Sequence, residues 1–169
     1  MADLERRGLA VALTEMSLSE QLDNAPKPAD PGQASLILGS TKTCKLVTKH
    51  WGYEKWIVHA GAPFAFKLLF LKAGFRTSLQ YHEKKEECML LLSGWVRLHY
   101  QDEAGLPKTM DLNAGHTIHV KPNTVHRVEA INDSFYAEVS TAELDDVIRI
   151  QDDNGRPDGH IAREHKGKA

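Results

Sequence analysis

The chain has 169 residues, the size of one ordinary domain with one good core. Its 21 basic and 23 acidic residues leave −2 at neutral pH, which excludes the electrostatic footprint of a nucleic-acid or anionic-membrane binder. No apolar run nears the ~20 residues of a membrane span, residues 1–22 lack the apolar core of a signal peptide, and Cys44 and Cys88 make neither a disulfide framework nor a zinc ribbon, so the expectation is a soluble, cytoplasmic protein.

In chain order, residues 1–22 predict one or two short helices, with Leu4, Ala10, Val11 and Leu13 on a partial apolar face and Ser17 and Glu20 at capping-box spacing. DNAPKPADPGQAS (23–35), with three prolines and a glycine, reads as a linker. Residues 1–43 are thus an N-terminal arm. From there the character changes. WIVH (56–59), FAFKLLFLK (64–72), ECMLLLS (87–93), WVRLHY (95–100), HTIHV (116–120), HRVEAI (126–131) and SFYAEVS (134–140) are rich in aromatic and branched residues, separated by Gly, Pro, Asn and Asp. Short strands without intervening helical pattern predict an all-β sandwich or barrel over 44–156, followed by a basic C-terminal tail, 157–169.

The chemistry concentrates around LQYHEKKEECMLLLSG (79–94). Side chains alternate across a strand, so Gln80 and His82 share a face, and Lys85 and Glu87 share one at the head of the next strand. Met89 and Leu91 follow Glu87 inward, while Cys88 points the other way and reads as a packed thiol. Downstream, His126 heads another strand after a Pro-Asn turn. If the two segments adjoin in a barrel, Gln80, His82, Glu87 and His126 converge. Two imidazoles, a carboxylate and an amide oxygen suit a divalent metal (Zn, Mn, Fe, Co or Ni, zinc foremost).

The spacing Gly74, five residues, Gln80, one, His82, four, Glu87, six, Gly94 resembles the first cupin motif. GHTIHVKPNTVH (115–126) resembles the second, with one extra residue before Pro122 and Asn123-Thr124 in the usual Pro-x-Gly region. Within cupins, SLQYHEKKEE, HRVEA and AEVSTAELDDVIRIQDDNGR are similar to the cupin part of the type II mannose-6-phosphate isomerases, as are HWGYEKW and FKLLFLKAG. The departures are Lys85-Glu86-Glu87-Cys88-Met89 where that family has Arg-Ala-Glu-His-Trp, His50 in place of proline, and Ser140 in place of glutamine. Lysine two before the glutamate is the type I pattern. The resemblance implies a jelly-roll barrel, a metal inside it, a homodimer, and aldose–ketose isomerisation of a sugar or sugar phosphate through a cis-enediolate.

Four residues are candidates for the chemistry. Lys67 is the one charge inside FAFKLLF and matches a family lysine; Lys85 shares the face of Glu87; Glu138 matches a family glutamate; and Arg149, by resemblance, would reach substrate from a C-terminal lid. Lys85 or Glu138 is then the proton carrier, a lysine base needing its pKa lowered by the nearby metal, and Lys67 or Arg149 would hold a phosphate. Two other readings share the fold: an Fe(II)-dependent cupin dioxygenase and a non-catalytic sugar-binding cupin.

Overall fold

Residues 39–59 and 61–161 are described by the computed structural model; the helices expected over 1–22, the linker and residues 162–169 of the tail lie outside them. Among the described residues, twelve strands run β1 (Lys45–Lys49), β2 (Gly52–Val58), β3 (Phe64–Leu71), β4 (Leu79–Tyr81), β5 (Glu87–Ser93), β6 (Trp95–Gln101), β7 (Pro107–Asn113), β8 (Thr117–Val120), β9 (His126–Ala130), β10 (Ser134–Thr141), β11 (Ile148–Gln151) and β12 (Gly159–His160). No helix occurs among the described residues. The strands form two antiparallel six-stranded sheets, ordered β1-β2-β3-β10-β5-β8 and β12-β11-β4-β9-β6-β7. Their inner faces meet in a core of Trp51, Leu69, Leu71, Met89, Val128 and Tyr136 with their neighbours. This is a cupin jelly roll, all-β as the sequence predicts.

Alternation explains which side chains enter it. In β3, Ala65, Lys67, Leu69 and Leu71 are buried while Phe64 is exposed and Phe66, Leu68 and Phe70 are half-buried. In β5, Glu87, Met89 and Leu91 are buried and Cys88, Leu90 and Leu92 exposed. Cys88 is therefore not the packed thiol expected: it lies on the outer face of the first sheet. β7 escaped the sequence reading because six of its seven residues are exposed and only Leu112 is buried, so an edge strand held by its ladder to β6 carries no alternation.

Gly94 closes the β5–β6 turn at φ +97°, and a Cβ there would collide with Ser134 Oγ and the Asp133 carbonyl. Asn123, in the turn before β9, is the one non-glycine residue at positive φ (63°) among those described. It occupies the left-handed conformation that asparagine tolerates best, and its N–H donates to the His82 carbonyl at 2.6 Å. That bond ties the two histidine-bearing segments together.

Candidate metal centre

Sheet register assembles the site. In the first sheet one inward row runs Trp56–Lys67–Glu138–Met89, and the adjacent inward row runs Ala65–Ser140–Glu87–Val120. In the second sheet Gln80 pairs directly with His126. Where the inner faces approach, one ring nitrogen each of His82 and His126 and a Glu87 carboxylate oxygen all lie within 4.8 Å of one another. His126 Nε2 is 3.1 Å and His82 Nε2 3.8 Å from Glu87 Oε1.

Both imidazoles are aimed from behind. His82 Nδ1 meets the Asp146 carbonyl at 2.8 Å, and His126 Nδ1 meets the Thr124 carbonyl at 2.9 Å. A ring nitrogen facing a carbonyl carries its proton there, which leaves Nε2 as the lone-pair atom directed at Glu87. His82 Nε2 is buried without a hydrogen bond, a costly arrangement that a metal would relieve. Burial and then the Lys85 ammonium push the His82 imidazole below its ordinary value, toward the neutral form a ligand needs. The donor set of two imidazoles, a carboxylate and the neighbouring Gln80 amide therefore fits a divalent metal. Gln80 Oε1 accepts the Ser78 hydroxyl at 2.7 Å.

Next to these three side chains runs a buried chain of alternating charge. Lys67 Nζ donates to Glu138 Oε1 at 3.0 Å, Lys85 Nζ donates to the same oxygen at 3.1 Å, and Lys85 also pairs with Glu87 Oε2. Lys67 lies over the Trp56 ring at 4.8 Å, and Trp56 Nε1 donates to Glu54 at 2.7 Å. Burial pushes the Glu87 and Glu138 carboxyls up, but the neighbouring lysines outweigh it, and both are held below the ordinary range. Burial pushes Lys85 down, yet Glu138 and Glu87 hold it above its ordinary value. The chain's own charges thus oppose the lowered lysine pKa expected from sequence.

These groups line one narrow, largely polar cavity of about 70 Å³. Gln80, His82, Glu87, His126, Lys67, Lys85 and Glu138 all contribute to it; Arg149 does not. Arg149 is buried on β11 with Nη1 donating to the Pro157 carbonyl at 2.8 Å. Lys49, Glu54 and Arg156 line the cavity and were missed in the sequence. Asp146 was missed too: besides its carbonyl at His82, its Oδ2 accepts the backbone N–H groups of Lys84 (2.6 Å) and Lys85 (2.8 Å). Its one sequence signal is an acidic pair set against the apolar Val147-Ile148.

The family described as mannose-6-phosphate isomerase C-terminal matches residues 39–152. The chain belongs to this family. A comparison with curated proteins finds no match. Among solved structures, the fold is similar to Bacillus subtilis oxalate decarboxylase at pH 4.6, with TM-score 0.63 and 19% identity over 72% of this chain and 34% of that one. It is also similar to Lactobacillus farciminis oxalate decarboxylase in a formate complex (0.56, 16%, 64% and 34%). CapF with the inhibitor 3-isopropenyl-tropolone is a third (0.55, 12%, 64% and 34%). The chain spans about a third of the length of these structures, and likeness at such identity shows the fold alone.

Proposed function

We propose that this family member is a metal-dependent aldose–ketose isomerase of a sugar or sugar phosphate. The observation that carries the reading is the convergence of His82, Glu87 and His126 beside the buried Lys67–Glu138–Lys85 chain in one cavity. A divalent metal held by His82, Glu87 and His126, with Gln80 as a fourth donor, would supply a Lewis acid for the sugar's carbonyl and hydroxyl oxygens.

The protein's own groups divide the remaining work. Glu138, kept ionised by two lysines, takes the proton from C2 and returns it to C1; its Oε2 lies outside the two bonds that fix Oε1. Lys85, kept protonated, donates to the oxygen that gains charge as the cis-enediolate forms. A phosphate would meet Arg156 and Lys49 on the cavity wall rather than Arg149.

Proton NMR in D₂O on the metal-reconstituted protein, with mannose 6-phosphate, fructose 6-phosphate and the free sugars, tests this. Deuterium entering C1 or C2, lost in His82→Ala and reduced at least 100-fold in Glu138→Gln, is the expected result. No exchange in protein that holds metal would turn the reading to a cupin oxygenase or a sugar-binding cupin.

A further inference from the structure

Tyr136 is buried on the inward face of β10, 5% exposed, between Leu69 of β3 and Leu91 of β5. Its ring divides the metal-centre cavity from a small apolar void lined with Met89, Leu91, Val96, Ile118 and Val128. A phenylalanine would fill that floor as well, so packing does not account for the hydroxyl. Among the described residues no hydrogen bond reaches it, whereas a buried tyrosine ordinarily finds a partner. Its oxygen is not one of the fully enclosed atoms, so it opens on the cavity. The neighbouring charges place it on the same side: Glu138 first, then Glu54 and Glu87, all three on the cavity wall. Burial, then these carboxylates, push the phenol well above its ordinary value, so it keeps its proton. Other donors of the wall are engaged: Lys67 and Lys85 by Glu138, the Ser78 hydroxyl by Gln80, and Arg156 by Asp152.

We propose, resting on the isomerase reading above, that Tyr136 is a specificity-determining residue whose hydroxyl bonds one uncharged substrate hydroxyl, at C3 or beyond, that the metal does not hold. Glu138 and Tyr136 stand two residues apart on one strand face, ~6.7 Å along β10. A sugar that presents C2 to Glu138 in so narrow a cavity therefore brings the next carbons of its chain to the floor. A phenol suits a neutral hydroxyl, because it can both donate to it and accept from it. A sugar lacking that hydroxyl, or holding it in the opposite configuration, leaves the phenol without a partner in a closed site and is rejected.

Steady-state kinetics of the metal-loaded protein and of Tyr136→Phe, on the sugar that exchanges deuterium and on its 3-, 4- and 5-deoxy analogues, tests this. The unmodified protein should lose at least about 10-fold in kcat/KM on one analogue, and Tyr136→Phe should lose as much on the complete sugar, mainly through KM. Tyr136→Phe acting on that analogue should lose no more than either change alone, with metal affinity and melting temperature matching the unmodified protein. Equal losses on every analogue would mean that the variant disturbs the cavity as a whole, and no loss on any would mean that the hydroxyl touches nothing; either overturns the proposal. So does a loss confined to kcat with an altered pH profile, which would make Tyr136 a proton carrier. If no sugar exchanges deuterium, the isomerase reading fails, and calorimetric binding of the same series to the metal-loaded protein decides the role of Tyr136 separately. The same single-analogue pattern then supports it, while sugars bound alike by both proteins, or by neither, overturn it.

Discussion

Asp146 lies behind the candidate metal ligands and fixes one of them in place. Its carbonyl orients His82 and its carboxylate staples the backbone at Lys84 and Lys85. Burial pushes that carboxyl up, but the three N–H groups of residues 83–85 pull it below its ordinary value. Asp146→Ala should therefore leave all ligands in place and still weaken metal binding about 10- to 100-fold, measured by competition with a chromogenic chelator. Lys67 presents the opposite case. Lys67→Met removes a cation that touches both Glu138 and the Trp56 ring, leaving a buried carboxylate with one lysine fewer. Loss of one partner from a buried pair costs about 3–5 kcal/mol. The pair Lys67→Met/Glu138→Gln should restore much of that in urea unfolding. Lys67 could be found in sequence because it interrupts an apolar strand, and Gln80, His82, Glu87 and His126 because strand alternation and turn spacing are local. Asp146 could not: its contacts reach back more than sixty residues, and no local pattern encodes them.

At the scale of elements, the site depends on turns that fix register. Gly94→Ala would force a Cβ into Ser134 and the Asp133 carbonyl at a left-handed φ. A loss of at least about 1 kcal/mol is expected in urea unfolding, beyond the benefit of a stiffer unfolded chain. Because β10 follows this contact and carries Glu138, the variant should also lose activity out of proportion to its stability. The same elements show what a sequence can and cannot say. β3, β5 and β10 alternate between a core face and an apolar outer face, so both their existence and the direction of Lys67, Glu87 and Glu138 were legible. β7 is an exposed edge, β4 and β12 span three and two residues, and β11 follows an acidic segment. Their strand state comes from ladders to distant partners rather than from their own composition. Asn123 stands between the two cases: its place in a Pro-Asn turn is legible, its bond to His82 only in the fold.

For the whole molecule, the buried charges set a pH window for the metal-free protein. His82 is held below its ordinary value of 6.5, by burial and then by Lys85. Below about pH 6.5 the unfolded chain binds a proton that the folded chain refuses, so stability falls with pH, by up to ~1.4 kcal/mol per unit for one such group. Glu87 and Glu138 are depressed from 4.5 and Asp146 from 3.8, so their contribution is present above those values and is lost as pH falls through the folded pKa of each. Lys85 has the opposite sign. Its pKa is raised from 10.5, so its contribution is complete below that value and is lost as pH rises through the higher folded one. Melting temperature in the presence of a chelator should therefore be flat between about pH 6.5 and 10, decline above 10 where the buried Tyr136 phenol, pushed up by burial and then by Glu138, keeps a proton that the unfolded chain loses, and decline gently below 6.5 and steeply below 4.5. The acid limb discriminates. Glu138→Gln removes one of the depressed carboxyls, so its melting temperature should be lower on the plateau and should converge on that of the unmodified protein as pH falls below 4.5. Parallel curves down to pH 3 would mean that Glu138 is not held ionised by its lysines.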